Sequence, residues 1–223
     1  VATGAVTNQA VTLLETQLTV NKWKEATVDI ADKSGIHSIF GDPKKLAVSF
    51  AAEFGPALAE QSDNDLFALQ SSVTTNVVGS TTDPTDLTDG LIRQALQKLD
   101  EARIPKRDRA FVLKSKAFWD LMSDQRFASA YHTGSSKGVQ VSGPEQLPGL
   151  YGSKWYSTEE ITTTAGLDKN LLLHKECLAM GMQRNVQIVY FAKVRLSTPV
   201  NGNALYGVAA MREDHGCVIN TAS

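Results

Sequence analysis

The chain has 223 residues, 42% hydrophobic and 21% charged, with 22 basic against 24 acidic residues and a formal net charge of −2. That length suits one large domain or two small ones, and the composition excludes a wholly disordered or collagen-like chain. The near-neutral balance lacks the basic excess of a strong nucleic-acid binder.

No apolar run approaches the roughly 18–20 residues of a membrane span. Val1 to Ala10 lack the basic start and apolar core of a signal peptide. With no initiator methionine, the N-terminus reads as processed or incomplete. Two cysteines, Cys177 and Cys217, make no disulfide framework and no CxxC zinc pair. They read as small buried side chains, with a disulfide left open if their Cα atoms come within about 7 Å.

From Leu18 the even positions Leu18, Val20, Lys22, Lys24, Ala26, Val28 and Ile30 alternate with Thr19, Asn21, Trp23, Glu25, Thr27 and Asp29. Period two with one apolar face predicts a half-buried strand. Lys22 and Lys24 interrupt that face around Trp23. Two readings fit: the strand projects from the body there, or it is an edge strand blunted by its lysines.

Asp42 and Pro43 open a helix, since aspartate caps and proline lacks only an N–H that would be unpaired. Leu46, Ala47, Phe50, Ala51, Phe54, Leu58, Leu66 and Leu69 recur at helical spacing, opposite Lys45, Ser49, Glu53, Glu60 and Asp63. A single helix from Asp42 to Gln70 would be about 44 Å long. Gly55-Pro56 lies inside it. Proline frees the carbonyl of Ala52, which predicts a kink or, alternatively, two separate helices.

Val77 to Asp86 is turn-rich and a candidate domain boundary. Asp86 is expected to cap a helix carrying Leu87, Leu91, Ile92, Ala95, Leu96 and Leu99, which stops at Ile104-Pro105. Ala110 to Leu113 predicts a short buried strand, and Ser115 caps a helix with Phe118, Trp119, Leu121 and Met122. A short turn covers Gln125 to Tyr131, and this order suggests an α+β lobe. The glycine- and serine-rich stretch Thr133 to Pro148 predicts a long functional or mobile loop. Strands follow over Leu150 to Ser157, Asn170 to His174 and Val186 to Leu196. Asn201-Gly202 signals a hairpin turn, with Ala204 to Arg212 pairing back and Cys217 to Asn220 as a last strand.

Little of this points to chemistry. None of His37, His132, His174 and His215 lies three or four positions from another, so helical metal pairs are absent. Glu213-Asp214-His215 reads as a solvated turn rather than a metal cluster. There is no GxSxG elbow, P-loop or GxGxxG. The run Lys106 to Arg109 contains an aspartate and no aromatic, unlike a phosphate-binding strip. No catalytic, cofactor-binding or metal-ligating residue is expected, and the chain is not expected to be an enzyme.

Three segments in order carry a family resemblance: AEFGPALAEQSDNDLFALQ, ALQKLDEARIPKRDRAFVLKSKAFWDLM and LYGVAAMREDHGCVI. From about Val11 onward the chain resembles the major capsid proteins of tailed bacteriophages, which share the Hong Kong phage capsid fold. It departs at Pro56, where the family continues its helix smoothly, and at a short N-terminus. The resemblance implies an α+β fold with an axial domain, a peripheral domain built on a long spine helix, and an extended E-loop. Residues 1–30 would form the N-terminal segment and E-loop, with Lys22, Trp23 and Lys24 near its tip on a neighbouring subunit. Residues 31–72 would be the peripheral domain with the spine helix, and 73–180 the axial domain. Residues 181–223 would supply peripheral strands and a closing strand that returns to the axial domain. Gly134, Lys137 and Gly138 would lie on a loop facing the fivefold or sixfold axis, and Gly55 and Pro56 at a kink in the spine. The implied function is a cofactor-free structural shell of pentamers and hexamers around double-stranded DNA. It would be assembled in the host bacterial cytoplasm and found in the virion. Scaffolding, portal and decoration proteins are the implied partners, with no membrane. The rival is an encapsulin, a bacterial compartment of the same fold that holds cargo enzymes.

Overall fold

The alternating segment Lys22–Ala31 forms strand β1, which lies at the edge of a three-stranded antiparallel sheet in a computed structural model describing residues 15–31, 33, 43–123, 150–191 and 196–223. β1 pairs with β8 (Ser197–Ala210) from Lys22 opposite Tyr206 to Ala31 opposite Ser197. On the far side of β8 lies β7 (Leu178–Tyr190). Backbone pairing along all of β1 places it at the edge of this sheet, where its lysines blunt the edge.

Helix α1 (Pro43–Phe67) packs across this sheet. Ala51 and Phe54 of the helix meet Ile30 and Val200, with Ala26, Val28 and Leu46 around them. α1 runs unbroken through Pro56, so the division into two helices does not occur, and a 3₁₀ turn over Ala68–Ser72 follows it. Phe50, expected on the buried face, is exposed together with Val48.

Asn201-Gly202 does not turn the chain. Both residues lie inside β8, where Gly202 pairs with Ala26 on one side and Ile188 on the other. A β-carbon on Gly202 would sit 2.9 Å from the Phe54 Cβ. The glycine therefore serves close approach of the helix rather than a bend. β7 begins earlier than the pattern suggested, at Leu178, and Val186 to Tyr190 forms only its last part.

The second sheet has the order β2-β9-β6-β3-β4, with β5 on β6. Its strands are β2 (Val77–Val78), β3 (Arg109–Leu113), β4 (Lys154–Ser157), β5 (Thr163–Thr164), β6 (Leu167–His174) and β9 (Gly216–Ala222). Helix α2 (Asp89–Glu101) turns Ile92, Ala95 and Leu99 onto it, and α3 (Ser115–Ser123) adds Ala117, Phe118 and Leu121. Phe111 and Trp155 stack with ring centroids 4.2 Å apart. The cap of α2 is Thr88, whose hydroxyl accepts from the Leu91 amide, and not Asp86. Asp86 instead pairs with Lys116 at 3.0 Å. Trp119 faces outward rather than joining the core.

Cys177 and Cys217 are free thiols, both buried, and burial pushes each up to about 12. They stay protonated and serve as packing. No described helix is long and apolar enough to cross a membrane.

Candidate assembly surfaces

Alternation along β1 divides its residues between two faces with different chemistry. Lys22 and Lys24 face α1 and straddle Asp65 on its last turns, at 3.1 and 3.4 Å. The Tyr206 hydroxyl, across the strand pair from Lys22, donates to the same carboxylate at 2.7 Å. Burial alone would raise the Asp65 carboxyl, but the Tyr206 bond and the two ammonium groups outweigh it and hold the pKa below the usual carboxylate range. Both lysines thus meet an acid of their own chain.

This network carries a pH dependence with a definite sign. The folded Asp65 pKa is lowered, so its stabilisation is fully present above about pH 4 and fades as pH falls through the folded value. Asp65→Asn keeps an acceptor for Tyr206 but discharges both ion pairs. Urea unfolding at neutral pH should show a loss of about 1–2 kcal/mol, shrinking toward zero in acid.

The other face of β1 presents Trp23, 52% exposed. The guanidinium of Arg184 on β7 lies 5.5 Å from its ring centroid and donates to Asn203 Oδ1 at 3.2 Å. Just beyond, residues 15–20 cross the sheet where Gly181 and Gly207 stand opposite each other.

The end of the β7–β8 pair where the chain passes from one strand to the other carries Ile188, Val189, Phe191 and Leu196, all exposed and Leu196 by 75%. Val48 and Phe50 of α1, and Trp119 and Tyr156 on the second sheet, are further exposed apolar groups. A contiguous exposed apolar patch is what a protein interface requires, and these groups are its candidate contributors. Of the remaining sequence-based positions, Gly55 has open space around its Cβ direction and Pro56 is exposed on α1. Gly134, Lys137 and Gly138, with the turn before them, lie outside the described residues. Sequence reasoning missed Asp65, Tyr206 and Arg184, whose roles depend on strand register between distant segments.

No protein-family model matches the chain, and no curated protein matches it. Solved structures do. A structure from Mycobacterium phage Che8 superposes with a TM-score of 0.71 at 20% identity, covering 91% of this chain and 71% of that one. The capsid of cyanophage P-SCSP1u gives 0.70 at 13%, over 100% and 81%. The SrpI encapsulin of Synechococcus elongatus gives 0.61 at 13%, over 92% and 74%. Helix α1 on its three-stranded sheet, joined to the six-stranded sheet with α2 and α3, is the fold of tailed-phage major capsid proteins, α+β in class and shared with an encapsulin shell.

Proposed function

We propose that the chain is a major capsid protein that assembles into the pentamers and hexamers of an icosahedral shell around a double-stranded DNA genome. The observation that carries this reading is the superposition on phage capsids across nearly the whole described chain. The exposed apolar end of β7–β8 and the open edge at Trp23 support it, because a shell subunit must leave such surface for its neighbours. In this reading the three-stranded sheet with α1 is the peripheral part and the six-stranded sheet the axial part. Lys22, Trp23 and Lys24 act at a subunit boundary through the exposed indole, while the two lysines fasten the strand beneath it to α1. The loop with Gly134, Lys137 and Gly138 lies toward the symmetry axis. Gly55-Pro56 is the weak point at which the spine bends as a precursor shell expands. The shell role is structural and needs no catalysis or cofactor. The working location is the virion, after assembly in the host cytoplasm with scaffolding and portal proteins.

The encapsulin match favours a second reading, a compartment filled with protein cargo. Particles purified from a producing culture separate the two. Electron microscopy with nuclease-protected DNA inside closed shells is the expected result. Shells filled with protein and free of DNA would establish the compartment. Native mass spectrometry showing monomer alone would remove both.

A further inference from the structure

The chain passes between its two sheets twice in one place. β6 leads into β7 through Lys175–Cys177, and β8 returns to β9 through Met211–His215. The Cys177 carbonyl accepts from the amides of Met211 and Arg212 at 2.8 and 3.2 Å, binding the two passages together. Beside these bonds stand His174 at the end of β6, Glu176 in the first passage and His215 in the second. One ligand atom from each lies within 4.8 Å of the others. Both histidines are buried, the His215 side chain by nine-tenths, and their rings are set edge-on with centroids 5.3 Å apart.

His215 Nδ1 is the decisive atom. It is buried, and among the described residues it finds no hydrogen-bond partner. A buried polar atom without a partner carries an uncompensated desolvation cost, so its persistence calls for an explanation. It faces Glu176 Oε2 at 3.9 Å, too far for a hydrogen bond. Two ligands of one tetrahedral zinc, each about 2.0–2.1 Å from the metal, stand roughly 3.4 Å apart. The other ring nitrogen, Nε2, lies 4.0 Å from Asp214 Oδ2. At that distance, too, there is no hydrogen bond.

We propose that His174, Glu176 and His215 form a site for a divalent transition ion of the zinc type, which staples the two passages between the sheets. Two imidazoles and one carboxylate suit zinc, cobalt or nickel, whereas magnesium and calcium prefer oxygen alone. Three protein ligands leave a fourth position for water. Access is open, because a groove of about 410 Å³ bordered by Lys175, Glu176, Met211 and Arg212 leads to the carboxylate. Two groups must yield. Arg212 Nη1, 3.4 Å from Glu176 Oε2 and 59% exposed, can swing into solvent. His174 Nδ1 receives only a long 3.4 Å bond from the Glu176 amide. Drawing the ligand atoms in from 4.8 Å needs side-chain movement on the order of 1 Å.

The ion would fix the angle between the sheets at the one place where two connections cross, so binding should register as rigidity and not only as occupancy. The test is titration of the purified full-length chain with cobalt(II) alone, followed by zinc competition. Expected are visible ligand-field bands of tetrahedral intensity saturating at one ion per chain, bleached by zinc. Zinc should also raise the unfolding temperature. Glu176→Gln, at an exposed position that leaves folding intact, should weaken cobalt binding at least about tenfold, the scale already lost when a mere orienting group is removed. His215→Asn should abolish it, while Glu213→Gln in the same turn should leave it unchanged. The absence of bands in the wild-type chain overturns the site. So does cobalt binding that Glu176→Gln leaves at wild-type strength.

Discussion

Arg109→Ala is expected to lower the unfolding free energy by about 2–4 kcal/mol, measured by denaturant unfolding of the purified protein. The side chain is only 3% exposed. Its Nη2 donates to the Ile104 carbonyl and to Asp100 Oδ1, both at 2.7 Å, and its Nε donates to the Pro105 carbonyl at 3.0 Å. These bonds span the turn from α2 to β3. That turn holds two non-glycine residues with left-handed backbone, Arg103 at φ 57° and Asp108 at φ 59°. Each such residue costs roughly 1 kcal/mol or more, so the turn needs an internal clamp. Truncation leaves buried carbonyl groups unpaired and the strained residues unsupported. Arg109→Lys should recover less than half of the loss, because one ammonium group cannot reproduce a planar fork. A loss below about 0.5 kcal/mol for the alanine variant, the scale of an ordinary surface change, would show that the clamp does not hold the turn.

Gly207→Ala should have a comparable effect on a different part of the molecule. A β-carbon there would lie 2.2 Å from the Thr19 carbonyl oxygen and 2.9 Å from the Val20 Cα, both backbone atoms. Its strand partner Gly181 admits Leu18, whose Cδ2 would meet an added β-carbon at 2.6 Å. The glycine pair thus makes the shallow track in which residues 18–20 cross the sheet. With backbone on both sides of the clash, no rotamer relieves it, and the crossing segment must lift. Overpacking of this kind costs about 1–3 kcal/mol. Limited proteolysis should then cut between Thr16 and Asn21 in the variant while sparing the wild type. Gly55→Ala is the matched control. Open space surrounds that position, and replacing a helical glycine should stabilise α1 by about 0.5–1 kcal/mol.

Much of the architecture is legible along the chain, because its signals are local. Alternation around Trp23, helical spacing from Leu46 to Leu66 and the apolar run Ala110 to Leu113 each mark an element at its observed place. Errors arise where one residue type serves two purposes. Asp86 and Thr88 are both good caps, and only packing decides that Thr88 takes the role while Asp86 pairs with Lys116. Glycine after asparagine favours a turn, yet Gly202 is needed for the absence of a side chain beneath Phe54. The basic run ending at Arg109 carries no local sign of burial, although its last guanidinium is buried. The candidate sites were harder still. Lys22 and Asp65, or His174 and His215, are neighbours only through sheet register, and no spacing rule brings such pairs together.

The position of β9 in its sheet has a consequence for synthesis. Gly216–Ala222 lies between β2 and β6, pairing in parallel with one and antiparallel with the other. The last residues of the described chain therefore lie inside the six-stranded sheet. Until they emerge, β2 has no partner in that order, and the edge of β6 from Leu167 to Leu173 stays open. An open edge is a template for pairing with another chain, and copies of a shell subunit are made close together on the same messenger. The delay between exposing β6 and delivering β9 is set by the translation of Lys175 to Ala222, several seconds at roughly 5–20 residues per second. Each copy thus completes its six-stranded sheet only after its β7–β8 pair has been made. Completion of the six-stranded sheet is thus tied to the delivery of β9, and a copy that lacks it keeps the edge of β6 exposed.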